Sequence, residues 1–152
     1  MDDEPSSQQD HTMHTDPLSQ SIVNNEFKLS QSIEIHSGAL RCVATLPATN
    51  QLVSGSIDKT VKICGLNQQT GKYEFEREIA YHDGYVFALH PDVGGNGFYS
   101  ASKDKKIMHV DMEGNPSKVF EGHENCVNSL SQSVPEEIVS GSWDGTARIW
   151  DT

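Results

Sequence analysis

Three times along the chain a histidine is followed by a Ser-(Gly/Ala)-Ser-x-Asp segment, a side-chain set that could run nucleophilic chemistry if it converged on an exposed serine. The copies are His36 with Ser54 and Asp58, His82 with Ser100 and Asp104, and His123 with Ser140 and Asp144. In such chemistry serine would be the nucleophile, histidine its base and aspartate the group that orients the ring. Two features argue against it. The His-to-Asp separations are 22, 22 and 21 residues, and a reactive constellation is not expected three times at one spacing. Each serine also lies inside an alternating segment such as Gln51-Leu-Val-Ser54, whereas a catalytic serine needs an exposed oxygen and an oxyanion hole. The set therefore reads as buried structural polarity, where one unsatisfied group costs about 1–3 kcal/mol, and the chain reads as non-enzymatic.

Successive histidines are 46 and 41 residues apart, which is the period of a repeat protein. Aligning on them exposes short apolar strands that must hold the polar set in place. First strands read Leu40 to Val43, Val86 to Leu89 and Val127 to Leu130, and third strands Val61 to Ile63, Ile107 to Val110 and Ala147 to Trp150. Fourth strands are expected at Lys28 to Ile35, Glu74 to Ile79 and Lys118 to Phe120. The residues four and six after each histidine are Leu40, Val86 and Val127, then Cys42, Ala88 and Ser129. They share one face by the period of two. Turn residues separate the strands at Pro47 to Asn50, Asn67 to Gly71, Pro91 to Gly97, Glu113 to Pro116 and Pro135 to Glu137. The Gly94 to Gly97 run lacks a following Lys-Ser/Thr and sits between strands, so it reads as a hairpin loop rather than a phosphate loop.

The third copy opens with Gly122-His123 and closes with Trp150-Asp151, and so resembles a blade of the WD-repeat β-propeller family. The six-residue step from Asp144 to Trp150 lands on Cys64 and Val110 in the other copies, which are degenerate. The resemblance implies that each aspartate sits in the turn between second and third strands and bonds the histidine. That ring in turn bonds the serine, which can reach the tryptophan indole. The expected structural sets are His36, Ser54, Asp58; His82, Ser100, Asp104; and His123, Ser140, Asp144, Trp150.

The expected fold is all-β: a partial WD-repeat propeller of three four-stranded antiparallel blades, at about 27–66, 73–112 and 117–152, each written with its outermost strand first. Closed rings use about 4–8 blades, so three suggest part of a larger propeller of about seven, with completion by oligomerisation as the alternative.

Composition bounds the partners. Asp and Glu number 22 against 11 Lys and Arg, a net charge of −11, which argues against nucleic acid. Residues 1–26 hold six acids and no Lys or Arg, and they read as a disordered acidic leader. With no basic start and no apolar core it is not a signal peptide, and no stretch is long enough for a membrane span. Cys42, Cys64 and Cys126 are odd in number, lack CxxC spacing, and read as reduced core residues. A cytoplasmic location, extending to the nucleus, is expected. His11 and His14 form only a two-ligand pair in the leader, so no metal is expected, and no cofactor. Lys103-Asp-Lys-Lys106 reads as solvated surface around a turn.

Within the WD-repeat class, Asn125-Cys-Val-Asn-Ser-Leu-Ser131 followed by Ile138-Val-Ser-Gly-Ser-Trp-Asp-Gly-Thr-Ala-Arg-Ile-Trp150 looks like the third blade of the phospholipase A-2-activating protein family. That resemblance implies a ubiquitin-binding adaptor of a hexameric AAA ATPase segregase in ubiquitin-dependent turnover. The family's downstream modules, a ubiquitin-binding domain and a helical-repeat domain that docks on the ATPase, are not in these residues. The alternative is a general scaffold subunit of a ligase, trafficking or signalling complex. In the family, exposed positions lie three and five residues after the histidine and one before the aspartate. Here these are Ala39, Arg41 and Ile57; Tyr85, Phe87 and Lys103; and Cys126, Asn128 and Trp143. Tyr85, Phe87 and Trp143 are expected to form an apolar platform rimmed by Arg41 and Lys103.

Overall fold

The computed structural model describes residues 28–152, so the acidic leader and the His11/His14 pair lie outside the described residues. Lys28–Ser32 falls in an N-terminal unit and carries no strand; the second unit, Ile33–Thr152, holds every strand found among the described residues. There are eleven: β1 (Leu40–Leu46), β2 (Gln51–Ser56), β3 (Val61–Asn67), β4 (Lys72–Ile79), β5 (Val86–Pro91), β6 (Gly97–Ser102), β7 (Ile107–Asp111), β8 (Pro116–Phe120), β9 (Val127–Val134), β10 (Glu137–Ser142) and β11 (Ala147–Asp151). They make antiparallel meanders in the orders β1-β2-β3-β4, β5-β6-β7-β8 and β9-β10-β11. The architecture is an all-β, unclosed part of a propeller.

Two expectations need correction. The third sheet has three strands, not four, and Lys28 to Ile35, expected as a fourth strand, belongs to no sheet. An extended segment becomes a strand only by pairing its backbone with a neighbour, and the one-strand offset of the repeat gives this segment no partner in its own sheet. The physical sheets are accordingly displaced by one strand from the sequence repeats.

Burial follows the stacking. Leu46, Val53, Val61, Ile63 and Ile79 of the first sheet pack on Val86, Phe98, Met108 and Val110 of the second. The other face of the second sheet sets Ala88, Tyr99, Ala101 and Ile107 against Val127 and Ile138 of the third. Because β6 is covered on both faces, all six of its residues are buried. Covering one such aliphatic or aromatic side chain is worth about 1.5–3 kcal/mol. The residues four and six after each histidine, expected to share one face, lie on opposite faces: Val86 packs on the first sheet and Ala88 on the third, and the counterparts Leu40 and Ser129 are exposed. They belong to the two outer sheets, which have a neighbour on one face only.

Each first strand carries a β-bulge at the same place. In β1, Leu40 pairs with Ser56 and Cys42 with Gly55, leaving Arg41 as the extra residue. Phe87 is the extra residue of β5, and Asn128 that of β9. A bulge bends the strand and re-aims the side chain it carries.

Candidate functional site

Each histidine ring is held between a turn aspartate and a second-strand serine. His36 Nδ1 lies 2.9 Å from Asp58 Oδ2 and its Nε2 lies 2.9 Å from Ser54 Oγ. For His82 the distances are 2.8 Å to Asp104 and 2.9 Å to Ser100, and for His123 both are 2.7 Å, to Asp144 and Ser140. An ionised carboxylate only accepts, so Nδ1 is the nitrogen that donates to it. In the third sheet the Trp150 indole N–H donates to Ser140 Oγ at 2.8 Å. Ser54, Ser100 and Ser140 are all buried, out of reach of a solute. The geometry is that of a clamp between a loop and a turn.

The clamp has parts that sequence reasoning missed. The second serine of each motif, Ser56, Ser102 or Ser142, accepts the backbone N–H of the turn aspartate at 3.1 Å. The aspartate also accepts the backbone N–H of the residue after the histidine, namely Ser37, Asp83 or Glu124. Two residues beyond the aspartate, Thr60 and Thr146 donate their hydroxyls to it at 2.7 Å. The middle copy has Lys106 there and donates only its backbone N–H. The signal was present as Ser-x-Asp-x-Thr in the first and third copies.

These bonds set the electrostatics. Burial alone would raise the Asp58 carboxyl, but the Thr60 hydroxyl and N–H, with His36, outweigh it and hold the group well below the usual carboxylate range. Asp144 behaves likewise through Thr146, His123 and Glu124. In Asp104, burial is outweighed first by His82 and then by backbone N–H donors. All three cysteines are free; burial pushes Cys42 up to about 11 and raises Cys64 and Cys126, so the thiols stay protonated. No group of three potential metal ligands occurs among the described residues, and no helix there is long and apolar enough to cross a membrane.

On the histidine face the predicted contact residues divide. Arg41, of the first sheet, lies over the Phe87 ring of the second at 5.1 Å. Phe87 meets Trp143 of the third at 5.5 Å and Tyr85 at 6.3 Å, and Lys103 lies over Tyr85 at 4.9 Å. One unbroken cluster thus crosses three sheets, with the cations stacked on the rings rather than standing at a rim. Phe87 is half-buried, Tyr85 is exposed, and Trp143 is 56% exposed. Asn128 is exposed and Ile57 half-buried, but neither touches the cluster through a ring or cation contact. Cys126, expected to be exposed, is 1% exposed; its carbonyl accepts the Trp143 N–H at 2.9 Å, and its thiol lies 3.8 Å from the Val127 carbonyl oxygen.

At the opposite ends of the strands lies a second polar group that sequence reasoning did not find. His109 of β7 is buried with its Nδ1 on Ser117 Oγ and its ring 4.7 Å from Tyr99. Its Nε2 has no hydrogen-bond partner among the described residues and lies 3.5 Å from Asp92 Oδ2. Burial lowers the His109 pKa, against the pull of Asp92.

Comparison with known proteins agrees with this geometry. The family described as "WD domain, G-beta repeat" matches residues 27–64 and 114–151, together half of the chain. The unmatched stretch contains the middle copy, which has neither the tryptophan nor the threonine. Among curated proteins, the chain is 33% identical over 130 residues to the nuclear distribution protein nudF of Emericella nidulans, covering 80% of this chain and 28% of that protein. It is 30% identical over 128 residues to the ubiquitin homeostasis protein lub1 of Schizosaccharomyces pombe, covering 82% and 18%. A guanine nucleotide-binding protein subunit beta-2 of Nicotiana tabacum is 28% identical over 135 residues, covering 81% and 36%. The chain spans between 18% and 36% of the length of these relatives. The His-Ser-Asp clamps, the stacked antiparallel sheets and the family match lead to one conclusion: the chain belongs to the WD-repeat family, whose sheets serve as a scaffold for protein interaction.

Proposed function

We propose that the chain forms part of the ubiquitin-facing propeller of an adaptor in ubiquitin-dependent protein turnover, acting in the cytoplasm and nucleus. The observation that carries the proposal is the aromatic cluster on the histidine face, in which Phe87 and Trp143 join two sheets and leave the indole more than half exposed. Exposed aromatics flanked by an arginine are the composition of interaction hot spots. Two observations favour ubiquitin as the partner: the third-sheet sequence from Asn125 to Trp150, and the likeness to a protein named for ubiquitin homeostasis. An AAA ATPase segregase is the second partner the resemblance implies, for the longer protein. The test is titration of isotope-labelled ubiquitin with this chain. Shifts around ubiquitin's hydrophobic patch that vanish with Trp143→Ala support the reading, and none at high micromolar chain overturns it.

A second reading has its own support, since the relatives include a nuclear distribution protein and a G-protein β subunit. A general scaffold would co-purify with one stable partner and ignore ubiquitin. Neither reading is enzymatic, and labelling of Ser54, Ser100 or Ser140 by a fluorophosphonate probe would overturn both.

A further inference from the structure

We infer that the histidine face is built for an acidic peptide segment carrying one apolar anchor, with Arg41 and Lys103 taking its carboxylates and the Phe87–Trp143 step taking the anchor. The inference rests on the reading of this chain as a protein-interaction propeller, and it specifies the partner's chemistry.

Three observations carry it. The cluster is continuous across the three sheets, from Arg41 through Phe87 to Trp143, with Tyr85 and Lys103 alongside. Both cations are exposed and neither has an ion-pair partner among the described residues, whereas Lys62 and Lys106 do, in Glu78 and Glu121. Their present partners are ring faces, which hold a cation less strongly than a carboxylate does. The nearest acid in sequence, Asp104, is engaged by His82 and by backbone N–H groups. Most of the eleven Lys and Arg residues lack an ion pair among the described residues; Arg41 and Lys103 differ in lying together on one aromatic cluster, and there they select for negative charge beside an apolar anchor site.

The same stacking disfavours a cationic ligand, because Arg41 and Lys103 already lie over the Phe87 and Tyr85 rings and would repel a third cation at Trp143. Nucleic acid is disfavoured too. Its affinity grows with the number of phosphates neutralised, and two cations on an acidic chain offer few such contacts.

The test is fluorescence anisotropy on the full chain with three probes. These are a labelled peptide with a central tryptophan flanked by glutamates, the same peptide with glutamines, and a labelled oligothymidine. The glutamate peptide is expected to bind at least about tenfold tighter than the glutamine peptide at low salt, with the advantage shrinking as salt screens it. Arg41→Glu and Lys103→Glu should each abolish the advantage with the thermal midpoint unchanged; if either moves the midpoint, Arg41→Gln is read instead. Trp143→Ala should weaken both peptides by about tenfold. Equal binding of the two peptides, binding of neither, or tighter binding of the oligothymidine overturns the inference. A glutamate peptide that binds while ubiquitin does not overturns the adaptor proposal alone. Ubiquitin binding without any charge preference overturns only the present inference.

Discussion

The Trp150 indole N–H donates to Ser140 Oγ, the same oxygen that His123 Nε2 contacts. The corresponding positions in the first two sheets are Cys64 and Val110, both buried and neither a comparable donor. Only the third clamp therefore continues through side chains alone from loop to turn to second strand to third strand; in the first, Ser54 Oγ reaches the third strand by donating to the Lys62 carbonyl at 3.4 Å. Trp150→Phe keeps the ring near Phe120 and removes the bond, and it should lower stability by about 1 kcal/mol in urea unfolding. Asp144→Ala should lower the thermal midpoint more than Asp58→Ala, because both aspartates hold a histidine and a threonine but only one lies on a four-membered chain. Equal losses would show that the indole link adds nothing.

Acid should open the clamps. Asp58, Asp104 and Asp144 titrate in the folded chain below the unfolded value of 3.8. Their contribution to stability is full above that value and is lost as pH falls from it toward the folded pKa values. Thr146→Val removes one hydroxyl bond to Asp144, which raises the folded pKa and narrows that window. Circular dichroism followed from neutral to strongly acid pH should show the variant unfolding at higher pH. An unmoved acid limb would mean that the threonine bond does not favour the ionised form.

A milder pH effect should come from His109, whose folded pKa is lowered from 6.5 by burial. A base with a depressed pKa loses stability as pH falls through its unfolded value. The groups that set this balance are Asp92, Asp111 and Lys118 around the ring. The thermal midpoint is therefore expected to drop between neutrality and mildly acid pH, well before the carboxylates titrate, and His109→Gln should flatten that step. A flat wild-type midpoint across this range would rule the effect out.

The turns after Asp58 and Asp104 place Lys59 and Lys105 at φ values of 73° and 75°, where the third copy has Gly145 at 84°. Left-handed backbone strains a residue with a Cβ. Lys59→Gly should stabilise the chain by about 0.5–1 kcal/mol, the strain relief being partly offset by glycine's greater freedom when unfolded. Gly145→Lys should do the reverse. Chemical denaturation of the pair settles the sign.

Between the first two sheets, a Cβ at Gly55 would lie 2.7 Å from both Cys42 Sγ and Val86 Cγ1. Gly55→Ala should cost about 1–3 kcal/mol by overpacking, and Val86→Ala in the same chain should recover part of it by making room. Losses that simply add would show that the two residues do not compete for space.

Much of this was legible because it is local or periodic. Alternation marked the strands around Val61, Ile107 and Ala147, the repeated spacing marked the three copies, and the resemblance to WD-repeat blades implied the bond from His123 to Asp144. What escaped depends on neighbours. Lys28 to Ile35 has strand-like residues, but strandhood needs an edge to pair with. Leu40 has the same place in its repeat as Val86, yet it is exposed because nothing stacks on that side. Cys126 is buried although its place in the repeat is an exposed one by the resemblance. The second serine and the threonine of each turn were visible as letters, but their bonds to Asp58 and Asp144 become apparent only in the turn's conformation.

The bulge in each first strand separates two jobs that an ordinary strand residue must do together. Arg41, Phe87 and Asn128 stand outside the ladder register, so what each one is matters little to the pairing of its neighbours. Within this one chain the three equivalent places already hold a cation, an aromatic ring and an amide on otherwise matching frames. Such a place behaves as an interchangeable socket. Its occupant can be grafted from one sheet to another to re-address the surface while the scaffold beneath is left as it was.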